Sequence, residues 1–155
     1  MNSAGNGKEG LSRDGPAREI VRRLIDSLGS ERTEGDAPSR AAAADHLYRE
    51  LSRWVGPDGC HALFTRALAE ARREHPSLDE IRLRVGSQPY IGGVAETVAA
   101  YGDATTAKSL ESMLVHLVEL LGRLIGDDMA TKLIERSSFA SERANLTSHN
   151  KRESA

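Results

Sequence analysis

The sequence predicts an all-α fold, a compact bundle of four to five helices with disordered N- and C-terminal tails. Three observations predict it. Apolar residues recur at helical spacing over most of the chain, Gly and Pro interrupt that pattern where turns are needed, and no segment alternates for long enough to build a sheet. Hydrophobic residues make up 39% of the 155 residues but aromatic residues only 4%, so the core should be aliphatic.

The N-terminal part should be only loosely joined to the bundle. Residues 1–15 hold one large apolar side chain, so burial cannot offset the entropy of ordering and a disordered tail is expected. Residues 16–28 form a short amphipathic helix, with Pro16 in its first turn and Gly29 after its end. Its apolar face consists of Ile20, Val21, Leu24, Ile25 and Leu28. Residues 29–38 are polar and should be a linker, so this helix either folds back onto the bundle or docks on a partner or second copy.

The helical domain itself is expected at residues 39–137, and it opens with a helical hairpin. Ser39 can cap a helix that runs to Val55. Its inward face is expected to comprise Leu47, Leu51, Trp54 and Val55. The sequence GPDG at 56–59 then forms a tight turn, and apolar residues follow the helical pattern without a gap from Cys60 to Glu74. The two helices should pack antiparallel.

The middle of the domain is less regular. Ser77 can cap a short turn after Pro76, and residues 81–85 alternate apolar residues with Arg in the period of a strand. No partner strand is evident, so extended or irregular structure is expected there. Residues 86–93 contain three Gly and one Pro and should be a loop, followed by a short helix that Tyr101 and Gly102 close.

The last part contains the longest helix, which Asp103 can cap. Its apolar stripe comprises Leu110, Met113, Leu114, Leu117, Val118, Leu121, Leu124 and Ile125. A stripe this broad predicts contact with more than one neighbour, and hence the central helix of the bundle. Gly126 should end it. A final helix should then turn Met129, Leu133 and Ile134 inward, and residues 138–155 should be a second disordered tail.

Charge and composition limit the partners and the cellular location that the sequence predicts. The 21 basic and 23 acidic residues give a net charge of −2 without a large block of either sign, which disfavours nucleic acid as a partner. The chain has a single Cys, no secretory leader pattern and no apolar run of about 18 residues. A soluble protein of the cytoplasm, with no membrane association, is therefore expected.

No pattern of residues identifies a catalytic, metal or cofactor site. Cys60 and His61 point about 100° apart on a helix and have no further ligands nearby. The carboxylates of Glu70 and Glu74, next to His75, lack the spacing of a di-metal site. We therefore expect no enzyme activity, no metal and no cofactor.

His116 is a possible phosphoacceptor because histidine phosphotransfer domains carry one exposed His on a long bundle helix. Such domains resemble one another in the pattern His-x-Leu-Lys-Gly, whose Lys and Gly admit the phosphoryl group. Here Glu119 and Leu120 stand close to where the cation and the small residue are wanted. The departure weakens this hypothesis, although His116 and Glu119 remain neighbours on one helix face.

The leading interpretation is a non-enzymatic regulatory or protein–protein interaction domain. The segments WVGPDGCHALFTRALAEAR and LLGRLIGDDMATKLIE resemble helical domains attached to larger bacterial signalling proteins, which implies a role in bacterial-type signalling. One alternative is a dimeric DNA-binding regulator, suggested by the GPDG turn and by Arg66, Arg72 and Arg73 on the second helix. The other is a histidine phosphotransfer or small-ligand sensing domain.

Overall fold

The bundle contains six α-helices, five of them arranged around the predicted central helix, in a computed structural model that describes residues 16–26, 36–87 and 89–136. The helices are residues 16–26 (α1), Asp36–Val55 (α2), Pro57–Glu74 (α3), Val94–Tyr101 (α4), Asp103–Ile125 (α5) and residues 127–136 (α6). A 3₁₀ helix at Pro76–Glu80 and the strands Arg82–Leu83 (β1) and Ile91–Gly92 (β2) lie between α3 and α4. The all-α class is confirmed, with one helix more than predicted. The predicted tails, Leu28 and most of the predicted linker lie outside the described residues.

Helix α5 is the centre of the bundle, as its broad stripe predicts. It contacts α2, α3 and α4, and its stripe from Leu110 to Leu121 is buried. Helix α2 runs parallel to α5, because Asp36 lies beside Asp103 at the start of both helices and Arg40 pairs with Glu111 further along. Helix α3 runs antiparallel to both, across the turn at Gly56. The predicted hairpin of α2 and α3 is therefore present.

The start of α2 is where sequence and structure first differ. The helix begins at Asp36 instead of Ser39, so residues 36–38 of the predicted linker are helical. The backbone N–H groups of Asp36 and Ala37 donate to the Asp103 carboxylate at 2.9 and 3.0 Å. Asp103, the expected cap of its own helix, thus caps a different one, and Gly102 precedes α5 without a side-chain cap.

The alternating segment does find a partner strand. β1 pairs antiparallel with β2, so the predicted Gly-rich loop supplies the missing strand and closes a hairpin. Gly93 follows β2 with φ +86°, and a Cβ there would collide with the Glu80 carbonyl oxygen, so only glycine fits. Ser77 does not cap the 3₁₀ helix as expected. Its hydroxyl is buried and bonds the hydroxyl of Ser109 at 2.6 Å.

Helix α1 folds back onto the bundle. Val21 and Leu24 are fully buried in the common core. Two ion pairs border the helix, from Arg18 to Glu111 at 3.6 Å and from Arg23 to Glu135 at 3.5 Å. The amphipathic face of α1 is therefore part of the core, the first of the two outcomes that its sequence allows.

Candidate functional site

One end of the bundle carries most of the large apolar side chains that are exposed in the described residues. We call this surface the open end. It consists of Trp54 (54% exposed), Val55 (37%), Leu124 (66%), Ile125 (38%) and Met129 (53%). The sequence predicts all five to point into the core, so their exposure corrects that prediction.

The topology brings these residues to the same end. Because α2 and α5 run parallel, their last turns lie at one end, where the antiparallel α3 and then α6 begin. The Arg136 guanidinium carbon lies 5.5 Å from the ring centroid of Trp54, which joins α6 to the last turn of α2. Four helix ends therefore contribute to one surface.

The exposed residues continue the same apolar stripes that form the core. Leu51 and Leu121, about one turn earlier in α2 and α5, are fully buried. Beyond them the chain reverses at once through Gly56 and Gly126, both with positive φ, so neither reversal places a loop over the helix ends. The first turn of α3, residues 57–59, is exposed and carries no large apolar side chain. Helical periodicity predicts which face of a helix a residue occupies. Whether another element covers that face depends on the tertiary structure.

Charges of both signs surround the open end. The basic groups are Arg53, Arg123, Lys132 and Arg136, and the acidic groups are Asp58, Asp127 and Asp128, all of them exposed. Arg53 pairs within its own helix with Glu50 at 3.7 Å. The rim therefore mixes the two signs without a large excess of either, and most of its ionic groups face solvent.

The helix that the sequence suggests as a partner-binding strip lies elsewhere. Ile20, Val21, Leu24 and Ile25 are all at most 8% exposed, and Leu28 lies outside the described residues. These four described residues are buried because apolar side chains on one face of a helix gain more from the core than from water. Binding of a partner through these residues would require α1 to leave the bundle.

His116 lies in an acidic setting. Its Nδ1 is 3.4 Å from Glu70 Oε1 and 3.8 Å from Glu119 Oε1, and its Nε2 is 3.5 Å from Glu74 Oε1. Three carboxylates repel an incoming phosphoryl group, and both ring nitrogens already have partners. Sequence spacing identifies Glu119 alone, since Glu70 and Glu74 reach the ring from α3. The phosphoacceptor role stays a prediction, tested by an acid-labile label lost in His116→Gln.

Cys60 and His61 belong to an aromatic cluster at the start of α3. Burial raises the pKa of the Cys60 thiol to about 11, so it is neutral and a poor metal ligand at pH 7. His61 Nδ1 lies 2.8 Å from the Tyr90 hydroxyl, and the Tyr90 ring stacks on Tyr48 at 3.7 Å between centroids. Cys60 is fully buried in the core, where its side chain packs with the neighbouring helices.

Two of the three arginines that suggest DNA binding already bond other groups of the chain. Arg66 pairs with Glu70 at 3.3 Å. Arg72 donates to the carbonyl oxygens of Leu78 and Ile81 at 3.2 and 2.8 Å. Only Arg73 of the three is exposed without such a contact, and the first turn of α3 offers Asp58 to a DNA groove. The geometry gives this alternative little support.

The described residues contain no group of three or more His, Cys, Asp or Glu side chains that could hold a metal ion. None of the helices in residues 16–26, 36–87 and 89–136 is long and apolar enough to cross a membrane. Comparison of the chain with protein-family models, with curated proteins and with solved structures gives no match.

Proposed function

We propose that the chain is a non-enzymatic regulatory interaction domain of the cytoplasm that self-associates by packing its open end against the open end of a second copy. The observation that carries this proposal is the cluster of five exposed apolar side chains at one end of an otherwise well-filled bundle. Contiguous apolar surface on a soluble domain is typical of interaction sites.

The composition of the open end suits an interface. Trp and Met are enriched in protein interfaces, and Trp in particular often contributes a large share of the binding energy. The five side chains would form the apolar centre, and the charged residues around them the polar rim. Stable interfaces bury about 800 Å² on each partner, so centre and rim would both have to take part.

The charges favour a second copy over a different partner. In a two-fold symmetric dimer the same surface must complement itself, so each group meets its counterpart across the axis. Four bases and three aspartates around one apolar centre satisfy that requirement, since the bases of one copy can face the acids of the other. A strongly acidic or basic partner would find no matching excess charge on this rim.

The experiment compares the wild type with Leu124→Glu by sedimentation equilibrium over a range of concentrations. We expect a concentration-dependent dimer for the wild type and at least a tenfold larger dissociation constant for the variant. A carboxylate buried at the centre of the interface would lack a counter-charge, and tenfold corresponds to about 1.4 kcal/mol. Trp54 is the only Trp in the chain, so its emission should shift to shorter wavelength as the dimer forms.

The matched control is Val85→Glu. Val85 is also exposed and apolar, but it lies in the turn that follows β1, away from the open end. It should leave the dissociation constant unchanged. A wild type that stays monomeric up to millimolar concentration, or two Glu variants that weaken the dimer equally, would contradict the proposal.

A further inference from the structure

A groove between α2 and the segment from β2 through α4 is not used by the proposed interface. It consists of two cavities, of about 880 and 620 Å³, that share Ala42, Asp45 and Pro89 as lining residues. Volumes of about 300–1,000 Å³ are usual for small-molecule sites. The two cavities together offer room for a ligand with two chemically different parts.

The larger cavity is apolar. Its wall is formed by small and branched aliphatic side chains of α2, β2 and α4, among them Ala41, Ile91, Val94 and Val98. Among the described residues, two carboxylates, Asp45 and Asp103, are the ionic groups that line it. Asp103 caps the start of α2 and lines the larger cavity alone, whereas Asp45 lines both cavities and is therefore the carboxylate that a ligand spanning them would meet.

Asp45 lies where the two cavities meet and lacks a close counter-charge. Its Oδ1 accepts the Ile91 backbone N–H at 3.1 Å, and none of the ion pairs within the described residues includes it. Desolvation raises the pKa of the Asp45 carboxyl above its usual range, while the backbone N–H groups of Ile91 and Tyr90 and the charge of Arg49 act in the opposite direction. Partly buried charges are normally paired, so this carboxylate has capacity for a cation.

The smaller cavity adds an aromatic wall. Tyr48 and Tyr90 both line it as a stacked pair, and the hydrogen bond between His61 Nδ1 and the Tyr90 hydroxyl holds the Tyr90 ring in place. A cation held at Asp45 would therefore also meet an aromatic ring. Arg49 lines the outer part of the same cavity, which disfavours a second positive charge on the ligand.

We infer that this groove binds an amphiphilic organic cation, a single protonated amine attached to an apolar chain. The ammonium group pairs with the Asp45 carboxylate beside Tyr48, and the chain lies over the aliphatic wall of the larger cavity. An anion of the same shape would face the Asp45 and Asp103 carboxylates, with Arg49 of the smaller cavity as the one base that lines the groove among the described residues.

The test uses n-octylammonium as the probe, titrated into the full chain by isothermal calorimetry at pH 7.5 and below its micelle concentration. We expect saturable binding that Asp45→Asn weakens at least tenfold. Asn retains the size of Asp and an oxygen that can accept the Ile91 N–H, so the fold should survive, as a thermal melt would verify. Asp79→Asn, which changes an exposed aspartate of the 3₁₀ helix, is the matched control and should bind as the wild type does.

Two further ligands test separately what the charge of the ligand and the length of its alkyl chain contribute to binding. Octanoate, with the same chain and the opposite charge, should bind far more weakly, and shortening the amine should lower affinity by up to about fourfold for each buried CH₂ lost. Equal binding of octanoate, or equal loss in both Asn variants, would overturn the assignment. Leu124→Glu should bind the amine normally, so failure of the dimer and failure of the groove are distinguishable.

Discussion

The two ends of the bundle are built on opposite principles. At the end where α2 and α5 begin, which we call the closed end, polar groups from different elements bond one another. Asp103 caps α2, Ser77 bonds Ser109, and Arg72 holds the carbonyl oxygens of the segment after α3. The 3₁₀ helix, the hairpin and α4 lie between α3 and α5 in sequence and fill this end. At the open end, tight glycine turns leave the apolar stripes uncovered.

The difference shows that burial of an apolar residue depends on the elements that pack beside it as well as on the hydrophobic pattern of its helix. Leu121 and Leu124 belong to the same predicted stripe of α5, yet the first is fully buried and the second is 66% exposed. At the closed end, the 28 residues from 75 to 102 between α3 and α5 cover the helix ends, whereas at the open end a single residue forms each reversal, Gly56 and Gly126. Within the described residues, the closed end is covered by its own chain and the open end is not.

The largest expected effect contrasts those two leucines. Leu121→Ala should lower the free energy of unfolding by about 2–5 kcal/mol, because it removes a fully buried side chain and leaves a cavity. Leu124→Ala should change monomer stability by less than about 0.5 kcal/mol, as most exposed substitutions do. Urea unfolding at a concentration where the protein is monomeric measures both. Similar losses in the two variants would show that the open end is packed within a single chain.

Loss of the cross-helix cap should have an intermediate effect. Asp103→Ala removes the acceptor for two N–H groups at the start of α2, and we expect a loss of about 1–2 kcal/mol. Asp128→Ala, in the exposed first turn of α6, is the control and should cost less than about 0.5 kcal/mol. Protection of the first amides of α2 from hydrogen exchange should fall only in the Asp103 variant.

The smallest effect concerns the pH dependence of stability around Asp45. Its pKa is raised in the folded protein from the ordinary value of 3.8, so the folded state binds this proton more tightly than the unfolded state does. Stability contributed by this group is therefore fully present below pH 3.8 and is lost as pH rises through the folded pKa. The Asp45→Asn variant has no ionisable group at this position, so it should not lose stability in this way as pH rises.

The measurement is the difference in free energy of unfolding between wild type and Asp45→Asn, followed from pH 3.5 to pH 7. We expect the free energy of unfolding of the variant to increase relative to that of the wild type as pH rises. A constant difference, or a change of opposite sign, would mean that burial does not dominate the ionisation of Asp45.

The positions of the main helices follow from the sequence alone. Helical spacing, together with stop signals at Gly102 and Gly126, predicts α1, α3, α4 and α5 close to their observed bounds. The width of the α5 stripe also identifies it as the central helix. These features depend on residues within one or two turns of each other, and helix formation is governed by such local contacts.

Only the tertiary structure decided which distant groups meet. The Asp103 carboxylate is 66 and 67 residues from the amides it caps, the partner of β1 lies in a segment that reads as a loop, and two of the carboxylates around His116 come from another helix. The exposure of the open end also depends on the tertiary structure, because a residue is buried only where another element packs beside that turn of its helix. Local periodicity specifies the face a residue occupies; long-range packing specifies what that face touches.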